Sequence, residues 1–317
     1  MVSLWRLTRR MLDALRRHAR PLGATTATLG LLACAAAWAA ERTEAVPRAG
    51  DPYPIAEVTN RFRRMSAPPK PDQLARAAEP QRAIRREDFR PALMNPNASG
   101  REFFFTRAIY SGGGRRGYGG SWATDYPKAD QQFLTIIDRL VDLDAYEREN
   151  AVRLDDPELR KFPFLYALEV GYMYMTEPEA QGLRSYLLAG GFLMIDDFWG
   201  AREWANFESE IKRVLPEYQI VEVPLDHPIF NTVYNIDAVV QVPNISRAQG
   251  GPTWQRDGVV PHLRGIFDED GRLMVAINWN TDIGDAWEWA ESPYYPLKYS
   301  TYAIEITVNL IVYAMSH

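Results

Sequence analysis

Residues 176–197, TEPEAQGLRSYLLAGGFLMIDD, spell out a helix followed by a strand. Thr176 with Glu179 three residues on is a capping-box start, in which each side chain takes one of the other's free backbone N–H groups. Leu183, Leu187 and Leu188 give the helix an apolar face. Gly190 and Gly191 end it, because glycine accepts the left-handed conformation that closes a helix. Residues 192–195, FLMI, then form a short unbroken apolar run, the mark of a strand covered on both faces.

The same alternation extends outward. Residues 103–110 (FFFTRAIY) read as a strand. Phe133, Ile136, Ile137 and Leu140 fall at helical spacing within 127–141. Residues 163–175 (PFLYALEVGYMYM) read as a buried strand, 202–214 as a helix and 219–223 as a strand. Segments 263–267 and 273–278 flank Asp268-Glu269-Asp270-Gly271, a hairpin turn. A last helix is expected over 300–315. Helices alternating with buried strands predict an α/β domain with a mainly parallel, doubly wound sheet. No internal repeat is visible.

Upstream the composition changes. Residues 1–20 are basic, with Asp13 the single acid, and residues 22–40 (LGATTATLGLLACAAAWAA) are uncharged and mostly apolar. This is the layout of a secretory signal. Thr8-Arg9-Arg10-Met11-Leu12 resembles a twin-arginine export motif, and Ala37-Trp38-Ala39 a cleavage site. A cleaved signal is expected. The alternatives are a retained anchor, since spanning takes roughly 20 apolar residues, and lipidation at Cys34 after Leu31-Leu32-Ala33. Residues 41–100 are rich in Pro, Ala, Arg and Glu and hold no lasting apolar period, so they read as a linker with one short helix at 73–78. The folded part is then 101–317, periplasmic or anchored to a membrane through 22–40 and facing the periplasm.

The totals narrow the function. The net charge of −5 argues against a nucleic-acid surface. Cys34, in the leader, is the only cysteine, so the folded part has no thiol nucleophile, thiolate ligand or internal disulfide. There is no Gly-x-Ser-x-Gly elbow, HExxH or EF-hand loop.

Candidate site residues follow strands, because ligands in such sheets bind beyond the strands' carboxyl ends. Asp196 and Asp197 end the 192–195 strand; paired carboxylates there can hold a hard cation or sugar hydroxyls. The plainer reading is a helix cap beside a solvated acid. Trp122 and Asp125 follow a glycine loop (112–120) that opens a helix; Asp125 could simply cap it and Trp122 pack. His227 beside Asp226 could act as a general base or as a hydrogen-bonded turn residue. Asn280, Asp282, Asp285 and Trp287 follow the 273–278 strand and combine acids, amide and indole as a sugar or metal site would; an aromatic-packed loop is the alternative.

Together, WATDYPKADQQFL, LRSYLLAGGFLMIDDFWG, DHPIF, GRLMVAINWNTDIGDAWEWA and the terminal NLIVYAMSH resemble the bacterial family of domain of unknown function 4159, over about residues 103–317. The resemblance implies a class I glutamine amidotransferase-like, flavodoxin-like three-layer fold. It implies no activity. Amidotransferases place a cysteine on the turn after a central strand; here that turn carries Asp196-Asp197, so thiol-based amide transfer is excluded. Amidotransferase-like domains without the cysteine often serve as binding modules in envelope proteins.

Three functions stay open. The first is a non-catalytic binding or scaffolding domain for a polar small molecule, a glycan or an envelope protein, with no cofactor. The second is a hydrolase using Asp196, Asp197 and His227, with a divalent metal. The third is an envelope assembly factor.

Overall fold

The computed structural model describes residues 103–112, 122–141 and 143–317. The leader, Cys34, the linker with its helix at 73–78 and the loop glycines beyond Gly112 lie outside the described residues. Strands are β1 (Thr106–Ile109), β2 (Asn150–Arg153), β3 (Phe164–Leu168), β4 (Phe192–Asp196), β5 (Ile220–Glu222), β6 (His262–Phe267) and β7 (Leu273–Trp279). They form one seven-stranded sheet in the order β2-β1-β3-β4-β7-β6-β5. The pairs from β2 through β7 are parallel, while β6 and β5 join antiparallel at one edge.

Strand periodicity divides the interior in two. Phe164, Tyr166, Phe192 and Met194 enter one core, and Leu165, Ala167, Leu193 and Ile195 enter the other, because successive strand residues point to opposite faces. Helices α1 (Lys128–Leu140), α2 (Glu177–Leu188), α3 (Gly200–Val214), α4 (Ile245–Ala248), α5 (Ile283–Glu288) and α6 (Leu297–Ser316) complete the order. Side chains of α1, α5 and α6 cover the first face, and those of α2 and α3 cover the second. The result is a mixed α/β arrangement with helices on both faces of a mostly parallel sheet.

Local chemistry sets the boundaries. Thr176 and Glu179 form the reciprocal capping box, and Gly190 adopts φ 102° just past the end of α2. The Asp268 side chain accepts the N–H groups of Asp270 at 3.1 Å and Arg272 at 2.8 Å, closing the β6–β7 hairpin. Three expectations needed correction. β2 was not foreseen. The strand expected over 163–175 stops at Leu168, where Glu169 turns left-handed (φ 52°) into a 3-10 turn, Val170–Tyr172. The 280s, to which no element was assigned, contain α5. No helix among the described residues is long and apolar enough to cross a membrane.

Candidate functional site

In parallel pairs the strands end on the same rim, and register decides which residues meet there. Leu168 pairs with Asp196, so the next residues, Glu169 and Asp197, are neighbours; the Glu169 N–H donates to the Asp197 carbonyl at 3.1 Å. Ile195 pairs with Ile277, which brings the segment after β7 to the same rim. There Asp282 caps α5, accepting the Asp285 N–H at 3.0 Å.

Asp125 reaches the rim through a buried cation. Arg107 of β1, fully buried, pairs with Asp130 of α1 at 2.6 Å. Its guanidinium also donates to the carbonyls of Trp122, at 3.1 Å, and Thr124. These bonds hold the turn that carries Asp125 beside the strand ends.

The outcome is a cavity of about 290 Å³ whose walls include Asp125, Glu169, Asp197, Asp282 and Asp285, with Arg256 the one basic side chain lining it among the described residues. Arg256 is itself paired with Glu203 and donates to the Tyr172 hydroxyl at 2.6 Å. Two sets of carboxylate oxygens are spaced as cation ligands, within 4.8 Å of one another in each: Asp125, Asp197 and Asp282, and Asp125, Asp285 and Glu288. Asp196 lies just behind. Its Oδ2 accepts the Tyr166 hydroxyl at 3.0 Å and the Gly284 N–H at 2.9 Å, while its Oδ1 is buried without a partner.

Removing these acids from water favours their neutral forms. Burial pushes Asp125 up to about 6 against the opposing pull of Arg107 and Lys128, and burial with repulsion from Asp125 pushes Glu169 to about 7 and Glu288 to about 10. Burial also raises Asp196 and Asp285 to about 7 and holds Asp197 and Asp282 well above the carboxylate range. The cavity is a place where negative charge is held against a cost that a bound cation removes.

Of the residues expected from sequence, Asp125, Asp196, Asp197, Asp282 and Asp285 converge here. Four do not. Trp287 is wholly buried in an aromatic wall, its ring centroid 4.6 Å from that of Phe133 and 5.1 Å from that of Tyr166. Asn280 is spent on backbone: its Oδ1 accepts the Gly200 N–H and its Nδ2 donates to the Val260 carbonyl. Trp122 is buried against Tyr126 and serves through its carbonyl, which accepts from Arg107. His227 packs on Phe267 and Tyr313. Phe267 pairs with Leu273, the first residue of β7, so His227 sits at the opposite edge of the sheet from the acids. Burial also lowers its pKa.

Glu169, Glu288 and Arg256 were missed. Glu169 obeys the same strand-end rule as Asp197 but was hidden by reading β3 through to residue 175. Glu288 lay between two tryptophans in the stretch already singled out after β7 but was not selected there, and Arg256 belongs to a segment without periodicity.

No curated protein matches this chain. The sequence family described as Domain of unknown function (DUF4159) matches residues 105–315, and the chain belongs to that family.

Proposed function

We propose that this is an exported binding domain of the bacterial cell envelope, which holds a polar ligand on a divalent cation seated in the rim cavity. The single observation that carries the reading is the imbalance of that cavity: among the described residues, five carboxylates line it against one guanidinium already paired with Glu203. Backbone geometry supports it. Among the described residues, five non-glycines have left-handed φ: Asp125, Glu169, Asp197, Arg256 and Asn280. Four line the cavity and the fifth anchors the start of α3. Such conformations cost about 1–3 kcal/mol each and gather where a site demands them.

The strand order β2-β1-β3-β4-β7 fits the flavodoxin-like, amidotransferase-like fold implied by the resemblance, in which the ligand crevice lies at the strands' carboxyl ends. On that reading Asp197 takes the position of the amidotransferase cysteine, with its backbone turned left-handed at φ 48°. Export, and a periplasmic or membrane-anchored place, rest on residues 1–40. All-oxygen ligands select a hard cation such as Mg²⁺, Mn²⁺ or Ca²⁺.

A second reading, cation-dependent hydrolysis, is favoured by one observation: Glu169, at about 7, is poised as a base in the same cavity. The test is calorimetric titration of the chelator-treated protein with Mn²⁺ and Ca²⁺, beside Asp282→Asn. Uptake by the native chain that Asp282→Asn weakens at least tenfold is expected. Native protein that takes up neither cation would sink the proposal.

A further inference from the structure

We infer that the cavity takes two divalent cations at once, bridged by Asp125. This deepens the reading above and rests on it. The two ligand sets overlap in one residue only: Asp125 belongs both to the set with Asp197 and Asp282 and to the set with Asp285 and Glu288. A carboxylate has two oxygens, and one shared between neighbouring ligand sets is how cations are clamped about 3.5–4 Å apart in two-metal sites.

A further, independent observation comes from behind the cavity. Asp196 is wholly buried and its Oδ1 has no partner, although a buried acceptor left unmade costs about 1–3 kcal/mol. Its charge acts on Asp197 and Asp282, so it borders the first ligand set. It also borders the bridge. A Cβ at Gly284 would clash with the Tyr166 hydroxyl at 2.8 Å and would stand at ordinary contact distance from both Asp125 Oδ2 (3.6 Å) and Asp196 Oδ2 (3.8 Å), so the start of α5 runs beside those two acids. An acid oxygen buried and unmatched beside the ligand sets is a second sign, independent of their spacing, of a positive group that this corner of the fold receives.

The probe is Mn²⁺, whose spins report their own separation. The full chain, stripped with chelator, is saturated with Mn²⁺, counted by elemental analysis and examined by electron paramagnetic resonance. Two Mn²⁺ per chain with an exchange-coupled spectrum are expected. Asp282→Asn and Glu288→Gln should each retain one Mn²⁺ and show the uncoupled six-line signal, with melting curves confirming that both variants fold. One Mn²⁺ per native chain, or two without coupling, overturns this inference and leaves single-cation binding standing. No Mn²⁺ at all overturns both. The decisive measurement is made on the native protein, so a variant that fails to fold does not protect the idea.

Discussion

Two groups of buried charge lie a few residues apart along this sheet, and they are built on opposite rules. Arg107 and Asp130 are both wholly buried and satisfy each other: an ion pair at 2.6 Å, further guanidinium bonds to two carbonyls, and Tyr126 and Tyr166 rings within 5.4 Å of the guanidinium carbon. Asp196, as deeply buried, keeps one oxygen unmatched, and the acids in front of it face one another. The comparison teaches that burial of charge does not by itself mark a functional site. Lack of compensation does. The paired group is scaffold, and it holds the turn that presents Asp125; the unpaired group awaits something positive.

The sharpest way to break the comparison is to unpair the paired side. Arg107→Ala strands Asp130 in the core and frees the carbonyls of Trp122 and Thr124. Breaking a buried pair from one side costs about 3–5 kcal/mol, and chemical denaturation should show a loss of that size. A loss under ~1 kcal/mol would mean that the Arg107 group is no scaffold.

Acidity probes the unpaired side next. Asp196 and Asp285 are raised to about 7, against roughly 3.9 for an aspartate in an unfolded chain. The folded state therefore holds these protons more tightly. The stability they contribute is complete below about pH 4 and is lost as pH climbs through about 7. Cation-free protein should lose on the order of 5 kcal/mol between pH 5 and 8, about 2.7 kcal/mol for each group, and its melting temperature should fall by roughly 2–4 °C per kcal/mol for a domain this size. Saturating Mn²⁺ should remove most of the decline. A melting temperature that rises over that interval in chelator would contradict the sign.

Asp197→Asn sharpens the contrast at smaller amplitude. Asparagine keeps the acceptor for the Trp199 indole N–H, now at 2.9 Å, and tolerates left-handed backbone nearly as well as aspartate. It removes one uncompensated charge, so in chelator at pH 8 the variant should gain about 1 kcal/mol, and its melting temperature should respond to Mn²⁺ by about half as much as that of the native chain. Destabilisation in chelator would show that the carboxylate was already compensated.

The fold was easier to read than the site, for a physical reason. Strand and helix repeats are written in many residues at once: the unbroken apolar run 192–195 and the Thr176–Glu179 cap each needed only local pattern, and both hold in the structure. The site is assembled by register between strands distant in sequence. The glycine loop before a helix pointed to Asp125, and the strand-end rule found Asp196, Asp197, Asp282 and Asp285. It failed for Glu169, because Val170, Tyr172 and Met173 continue the apolar pattern after the backbone has turned. It also over-reached at Trp287. An indole suits a sugar surface and a core wall equally, and only its neighbours, Phe105, Phe133 and Tyr166, decide between them.

The smallest effect is expected at His227, and it tests the geometry most directly. From sequence, a histidine beside Asp226 was a candidate base for the acids. In the fold its ring centroid lies 5.4 Å from that of Phe267 and 5.6 Å from that of Tyr313, at the edge where β7 begins, whereas the acids gather where β4 and β7 end. Its Nδ1 meets the Ile229 N–H at 3.4 Å, a long bond of little worth. His227→Gln should cost under ~1 kcal/mol, as substitutions away from buried networks do. The affinity for Mn²⁺ should stay within about twofold of native, because no ligand set includes the residue. A tenfold weakening would require the two edges to communicate through the sheet, and the division between a scaffold edge and a binding rim would then have to be given up.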